Sequence, residues 1–311
     1  MKIVFLDAGT MGVTPMDEIA ALGDFTLWKD SSREEALVRA ADAEVLIVNK
    51  IRIDEEFLSH TPRLSLVCEA GTGTDNIDTA ACARHDVSVR NVAAYSTDSV
   101  AQNAIMHILN LLGHAFYYDN VVKSGKYSAG KLHTDPENPF TEACGKTLGI
   151  VGMGAIGQKV AKIGTALGMK VIYYSTSGTS HCKDYPSVSL DTLLEESDVI
   201  SIHAPKNERT NGLIGYEQML RMKRSAFIVN NGRGGIAVEA DLARAIDEGI
   251  IAGAALDVYE KEPLPFDSPL LHTSHPERIL FSPHVAWASV EAKARLAHEM
   301  AMNIRRHYGP A

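Results

Sequence analysis

Short apolar runs rich in β-branched residues recur through the first third of the chain, at 2–6, 44–48, 64–68 and 87–92. Between them the apolar residues follow helical spacing instead. That alternation predicts parallel sheet wound with helices, because a strand that re-enters a sheet in the same direction needs a crossover. At Ser96-Thr97-Asp98 a helix-start signal precedes Val100, Ala104, Ile105, Ile108, Leu111 and Leu112, which share one helical face. This long helix is expected to carry the chain out of a first domain. Residues 124–140, rich in Gly, Ser, Pro and polar side chains, read as an excursion between elements. From Lys146 the alternation resumes, with strand-like runs at 147–151, 170–174, 199–203, 226–230, 252–256 and 279–281. The segment 290–306 is helical in pattern and is expected to pack back on the first domain.

With 311 residues the chain exceeds a typical domain of roughly 100 to 200 residues, so two domains are expected. They are expected at 1–98 plus 286–311, a discontinuous domain, and at 99–285. A net charge of -9 gives no basic face for a polyanion, which argues against nucleic acid or an anionic membrane as the main partner. No stretch approaches the ~20 apolar residues of a membrane span and the N-terminal run is too short for a secretion signal, so a cytoplasmic protein is expected. Cys68, Cys82, Cys144 and Cys182 have no metal-ligand spacing and read as buried free thiols; no metal is expected.

Gly152-Met153-Gly154-Ala155-Ile156-Gly157 is a G-x-G-x-x-G, weak evidence by itself in a chain with 24 glycines. Its context adds the rest. The motif follows Leu148-Gly149-Ile150-Val151 and opens a helix with Ile156, Val160, Ile163 and Leu167 on one face. In such a turn Gly152 permits the tight bend, Gly154 lets backbone amides approach a pyrophosphate at the helix N-terminus, and Gly157 allows close helix-on-strand packing. An acidic residue that would hold the ribose hydroxyls is expected about twenty positions on, yet Ser175 stands there, followed by Thr176. NAD(H) and NADP(H) therefore both remain open. No arginine lies in 175–183, so tolerance of NADPH rather than exclusive preference is expected, with His181 and Lys183 as weak phosphate partners.

Ligands of open parallel sheets bind beyond the carboxyl ends of the strands, and polar residues follow each run there. They are His203 in Ile202-His203-Ala204-Pro205, Arg233 in Asn230-Asn231-Gly232-Arg233-Gly234-Gly235, Asp257 after Leu256, and His284 in Ser282-Pro283-His284. These motifs, with Gly253-Ala254-Ala255-Leu256-Asp257-Val258, Glu262-Pro263 and Pro283-His284-Val285-Ala286-Trp287, resemble the D-isomer-specific 2-hydroxyacid dehydrogenases in the same order. Ala70-Gly71-Thr72-Gly73-Thr74-Asp75-Asn76-Ile77-Asp78 and Tyr95-Ser96-Thr97-Asp98-Ser99-Val100-Ala101 extend the resemblance to the first domain.

The resemblance implies two doubly wound parallel-sheet α/β domains, a Rossmann cofactor domain inserted in a flavodoxin-like substrate domain. It implies catalysis by Arg233, Glu262 and His284, and a cofactor held by Gly152, Gly154, Ala155, Ile156, Gly157, Ser175, Thr176, His203, Ala204, Pro205, Asp257 and Thr97. The chemistry agrees: a guanidinium fork grips carboxylate and carbonyl oxygens, and an imidazolium oriented by a carboxylate delivers the proton. For Glu262 a solvated acid in a charged turn stays open, as does a capping role for Asp257. Substrate contacts are expected from Ala70, Gly71 and Thr72 through backbone amides, from Lys50, and from Trp287, for which a packing role is equally open. The segment 283–289 is similar to the hydroxypyruvate reductase and glycerate dehydrogenase branch, favouring hydroxypyruvate or glyoxylate. A D-lactate-type enzyme acting on pyruvate is the first alternative and an NAD(H)-sensing, corepressor-like binding protein the second. A homodimer is expected, although Tyr127 departs from the family's tryptophan-bearing arm.

Overall fold

The computed structural model describes residues 1–180 and 182–309 and divides the chain into two compact units, 1–96 with 288–311, and 97–287. Both junctions lie two residues from the positions expected from the sequence.

The first unit holds a wholly parallel sheet of β1 (Lys2–Phe5), β2 (Asp24–Leu27), β3 (Val45–Val48), β4 (Leu66–Glu69) and β5 (Ser88–Arg90), in the order β2-β1-β3-β4-β5. This is the flavodoxin-like winding, with its reversal between β1 and β3. The central strands β3 and β4 are buried at every position, which is why they read as unbroken apolar runs. Strand β2, Asp-Phe-Thr-Leu, is an edge strand exposed at both ends and carries no such signal. Helix Val290–Tyr308 belongs to this unit. Its Tyr308 hydroxyl meets Ser65 Oγ at 2.6 Å, and Asn303 Nδ2 donates to the Asn91 carbonyl at 3.0 Å.

The second unit contains β6 (Thr147–Val151), β7 (Lys170–Tyr174), β8 (Val199–Ile202), β9 (Phe227–Asn230), β10 (Gly253–Leu256) and β11 (Ile279–Phe281) in the parallel order β7-β6-β8-β9-β10-β11. A further strand beyond β7 is reduced to a single bridge, Tyr173 with Ser187. The chain steps from β6 outward to β7 and then back across to β8. That reversal opens a crevice at the carboxyl ends of β6 and β8, where such sheets take nucleotides. Helix Thr97–Gly113 covers one face, its Ala101, Ala104, Ile108 and Leu112 packing with Leu148, Ile150, Val160 and Ala161. Leu193, Leu194, Leu242 and Ile246 fill the other.

Cys68, Cys82 and Cys182 are buried, but Cys144 is exposed, because it stands in the irregular stretch before β6 rather than in a sheet. Among the described residues no helix is long and apolar enough to cross a membrane, and no group of three His, Cys, Asp or Glu could hold a metal ion.

Candidate active site

At the end of β6 the backbone turns through Gly152 at φ 92°. A side chain there would be strained, and its Cβ would lie 2.8 Å from the Ala204 backbone at the end of β8. The glycine turn and the 203–205 segment are thus in contact. Gly154 caps helix Ala155–Ala166, whose first intrahelical bond is Gln158 N–H to Gly154 O at 2.9 Å. The amides of Ala155, Ile156 and Gly157 precede that bond, and the space a Gly154 Cβ would enter is open. The buried His203 Nδ1, at the end of β8, has no hydrogen-bond partner among the described residues. Open amides at a helix start with an orphaned polar atom at the neighbouring strand end fit a bound dinucleotide. Burial pushes the His203 imidazole down to about 4, so the ring is neutral, and its Nε2 lies 2.8 Å from Ser201 Oγ. Thr97 opens the covering helix, whose Asp98 meets Lys159 of the glycine-turn helix at 2.8 Å.

Ser175 follows β7 and is half-buried, with Thr176 beside it. Its hydroxyl donates to the Thr179 carbonyl at 2.6 Å, so toward a ribose it offers lone pairs rather than its proton. Lys183 is exposed nearby, and His181 lies outside the described residues.

The turn after β9 is stitched by Asn230, 2% exposed: its Oδ1 accepts the Gly232 N–H at 3.0 Å and its Nδ2 donates to the Arg233 carbonyl at 2.9 Å. Arg233 is thereby held half-buried at the strand end. A Cβ on Gly234 would stand 1.9 Å from the Tyr259 carbonyl, so only glycine lets the Arg233 turn press against the segment that carries Glu262.

Glu262 and His284 are brought together. His284 donates its Nδ1–H to Glu262 Oε2 at 2.7 Å, while Glu262 Oε1 accepts the Tyr259 N–H at 3.2 Å. With Nδ1 committed, the proton available for chemistry is on Nε2. His284 sits at φ 53°, an uncommon region for a side-chain-bearing residue. Asp257, 1% exposed, holds it there: Oδ1 accepts from Ser282 Oγ at 2.5 Å and Val285 N at 2.9 Å, and Oδ2 from Ala286 N at 2.9 Å. Tyr259 adds a bond to the Ser282 carbonyl at 2.8 Å, and Ser99 one to the Ala286 carbonyl at 2.5 Å. Behind this segment lies buried His107, its Nε2 3.4 Å from Ser282 Oγ. Trp287, partly buried, ends the unit. Asn230, Tyr259 and His107 were not singled out from sequence. Asn230 stands inside a recognised motif, whereas His107 sits on an apolar helix face and gives no chemical signal.

In the first unit, the Ala70 N–H is committed to the Val48 carbonyl at 2.7 Å, because β4 continues its ladder through that residue. Ala70 is therefore corrected as an amide donor to substrate. The Gly71 and Thr72 amides have no partner among the described residues, and the Thr72 hydroxyl donates to the Val92 carbonyl at 2.9 Å. Lys50 is exposed, its N–H bound to Asp7 Oδ2 at 2.6 Å. Beneath this loop lies Glu69, 2% exposed, which accepts from Asn76 Nδ2 at 3.0 Å; burial, then the nearby Asp7, pushes its carboxyl up to about 8.

A parallel nucleotide-type sheet with an ordered arginine, glutamate and histidine along its carboxyl edge defines a dehydrogenase-like oxidoreductase. The profile of the D-isomer specific 2-hydroxyacid dehydrogenase NAD binding domain matches residues 105–286. The chain is 34% identical over 307 residues to a glycerate dehydrogenase of Methylorubrum extorquens, covering 97% of this chain and 95% of that one. It is also 34% identical over 310 residues to a hydroxypyruvate reductase of Blautia hydrogenotrophica, with coverage of 97% and 95%. A solved D-lactate dehydrogenase of Aquifex aeolicus, complexed with NAD and lactic acid, superimposes with a TM-score of 0.85 at 27% identity, covering 98% of this chain and 94% of that one. The chain belongs to the D-isomer-specific 2-hydroxyacid dehydrogenase family and is an NAD(P)-dependent oxidoreductase.

Proposed function

We propose that the protein reduces hydroxypyruvate or glyoxylate to the corresponding 2-hydroxy acid, reversibly, using Arg233, Glu262 and His284. The observation that carries this reading is the 2.7 Å pair of His284 Nδ1 and Glu262 Oε2 on the sheet edge that also carries the Gly152 turn and Arg233. The nicotinamide, when bound, supplies or accepts the hydride. Arg233 binds the substrate carboxylate and carbonyl oxygen with its planar fork, fixing the keto carbon. His284 gives its Nε2 proton to the oxygen as negative charge develops there. Glu262 fixes the ring through Nδ1; in the reverse direction neutral His284 takes the proton back. The names of the two relatives, glycerate dehydrogenase and hydroxypyruvate reductase, favour that substrate class.

Phe116, Val122, Tyr127, Leu132 and Phe140, each exposed on or after helix Ala115–Lys123, are apolar side chains that assembly as a homodimer would cover. With the reading as a metabolic reductase goes a cytoplasmic location as part of the proposal. Turnover of hydroxypyruvate, glyoxylate and pyruvate with each reduced nucleotide tests the substrate. We expect kcat/KM at least about tenfold higher for hydroxypyruvate or glyoxylate than for pyruvate, a difference of ~1.4 kcal/mol in transition-state binding. Best turnover of pyruvate would make the protein a D-lactate-type enzyme. Nucleotide binding without turnover of any keto acid would make it a nucleotide-sensing protein.

A further inference from the structure

The loop after β7 reads Ser175-Thr176-Ser177-Gly178-Thr179-Ser180, and no Asp or Glu lies between Lys170 and Lys183. It closes on itself through the Gly178 N–H to the Ser175 carbonyl at 3.2 Å and through the Ser175 hydroxyl to the Thr179 carbonyl at 2.6 Å. A cation reaches it from elsewhere in the chain. Arg209, on the loop after β8, donates from Nη1 to the Ser177 carbonyl at 3.1 Å. Because β7 and β8 flank the next two positions of the sheet around β6, this bond spans the carboxyl end of the strand that leads into Gly152. The arginine is presented by a tied turn. Asn207 Oδ1 accepts the Arg209 N–H at 2.9 Å, and buried Thr210 donates to the Pro205 carbonyl at 2.7 Å. Lys206, on the same loop, is turned the other way, its Nζ beside Gly235. Glu208 is the single carboxylate of residues 202–211.

We infer that Arg209, held beside the carboxylate-free loop that follows β7, forms a subsite for the 2′-phosphate of an adenine dinucleotide, so that the protein prefers the phosphorylated cofactor. The inference rests on the Gly152–Gly157 turn being the nucleotide site. A guanidinium has five donors in a fixed fork, of which one bond to a carbonyl leaves several for phosphate oxygens. The Ser175 and Ser177 hydroxyls both give their protons to the Thr179 carbonyl, so the guanidinium is the donor here, and the loop supplies no carboxylate to oppose the phosphate charge.

Calorimetric titration of the full-length protein with 2′,5′-ADP and with 5′-AMP tests this without turnover. Wild type is expected to bind 2′,5′-ADP at least about tenfold more tightly than 5′-AMP, with the ratio shrinking as salt is raised. Arg209→Gln should bring the ratio to within about twofold of unity, and Arg209→Lys should leave it between, because the charge stays and the fork is lost. Equal affinities in wild type, or an unchanged ratio in Arg209→Gln, would overturn the subsite. Failure of wild type to bind either nucleotide would instead overturn the reading of the glycine turn.

Discussion

Replacing Asp257 by alanine removes the carboxylate that accepts from Ser282 Oγ, Val285 N and Ala286 N. Val285 is 42% exposed and water can take over its amide, but Ala286 is 3% exposed and its N–H would be stranded. A bond to a charged group contributes about 1.5–3 kcal/mol and a stranded buried donor costs about 1–3 kcal/mol, so a loss near 3–5 kcal/mol of stability is expected after allowing for non-additivity. A domain stable by about 5–15 kcal/mol stays folded at that cost. The functional loss is separate. Without the tether, His284 has no reason to remain at φ 53°, and its bond to Glu262 at 2.7 Å is lost with the backbone shift. We expect kcat to fall about a hundredfold, within the range for a displaced acid-base group. Urea unfolding gives the first quantity, and steady-state reduction of hydroxypyruvate the second. In a His284→Ala background the same change should lower kcat by less than about threefold, since the two act as one unit. A folded Asp257→Ala enzyme with wild-type kcat, or fully additive losses in the double variant, would refute a positioning role.

Arg233→Lys keeps the charge but not the fork, and should lower kcat/KM by about a hundredfold, ~2.7 kcal/mol, with nucleotide affinity unchanged by calorimetry; retention of kcat/KM would remove Arg233 from the substrate. Glu69 has a folded-state value near 8 against an ordinary 4.5, so the folded chain keeps a proton that the unfolded chain releases. Stability therefore falls as pH rises across that window, by at most ~1.4 kcal/mol per pH unit, and Glu69→Gln should flatten the slope of urea midpoint against pH. An unchanged slope would place that titration elsewhere. Ser175→Asp sets a carboxylate near the ribose, where ~4 Å from a phosphate charge costs about 4 kcal/mol at an effective dielectric near 20, before screening. It should cut kcat/KM for NADPH at least about tenfold and leave NADH little changed, and an equal response of both would show that Ser175 does not face the ribose.

The parallel strands were legible because burial on both faces leaves continuous apolar runs, as in Val45–Val48 and Val199–Ile202. Strand β2 was not, since an edge strand of Asp-Phe-Thr-Leu needs no apolar run. The glycine turn was legible for a steric reason that local sequence expresses. Arg209 was hidden because its relation to the Ser175 loop depends on strand order, which sets a loop more than thirty residues away beside it. The support of His284 by Asp257 was hidden as well, because it runs through the amides of Val285 and Ala286, and backbone donors have no letter in a sequence. For the same reason the commitment of the Ala70 amide to Val48 appears only with the ladder in place.

In the proposed mechanism His284 supplies the proton during hydride transfer. Rapid mixing of hydroxypyruvate with the wild-type enzyme and with His284→Ala, each preloaded with reduced nucleotide, follows the first turnover through the nicotinamide absorbance. We expect the variant to bind nucleotide with affinity within about twofold of wild type and to oxidise it about a hundredfold to ten-thousandfold more slowly. A first turnover at the wild-type rate in His284→Ala would show that the proton comes from another group.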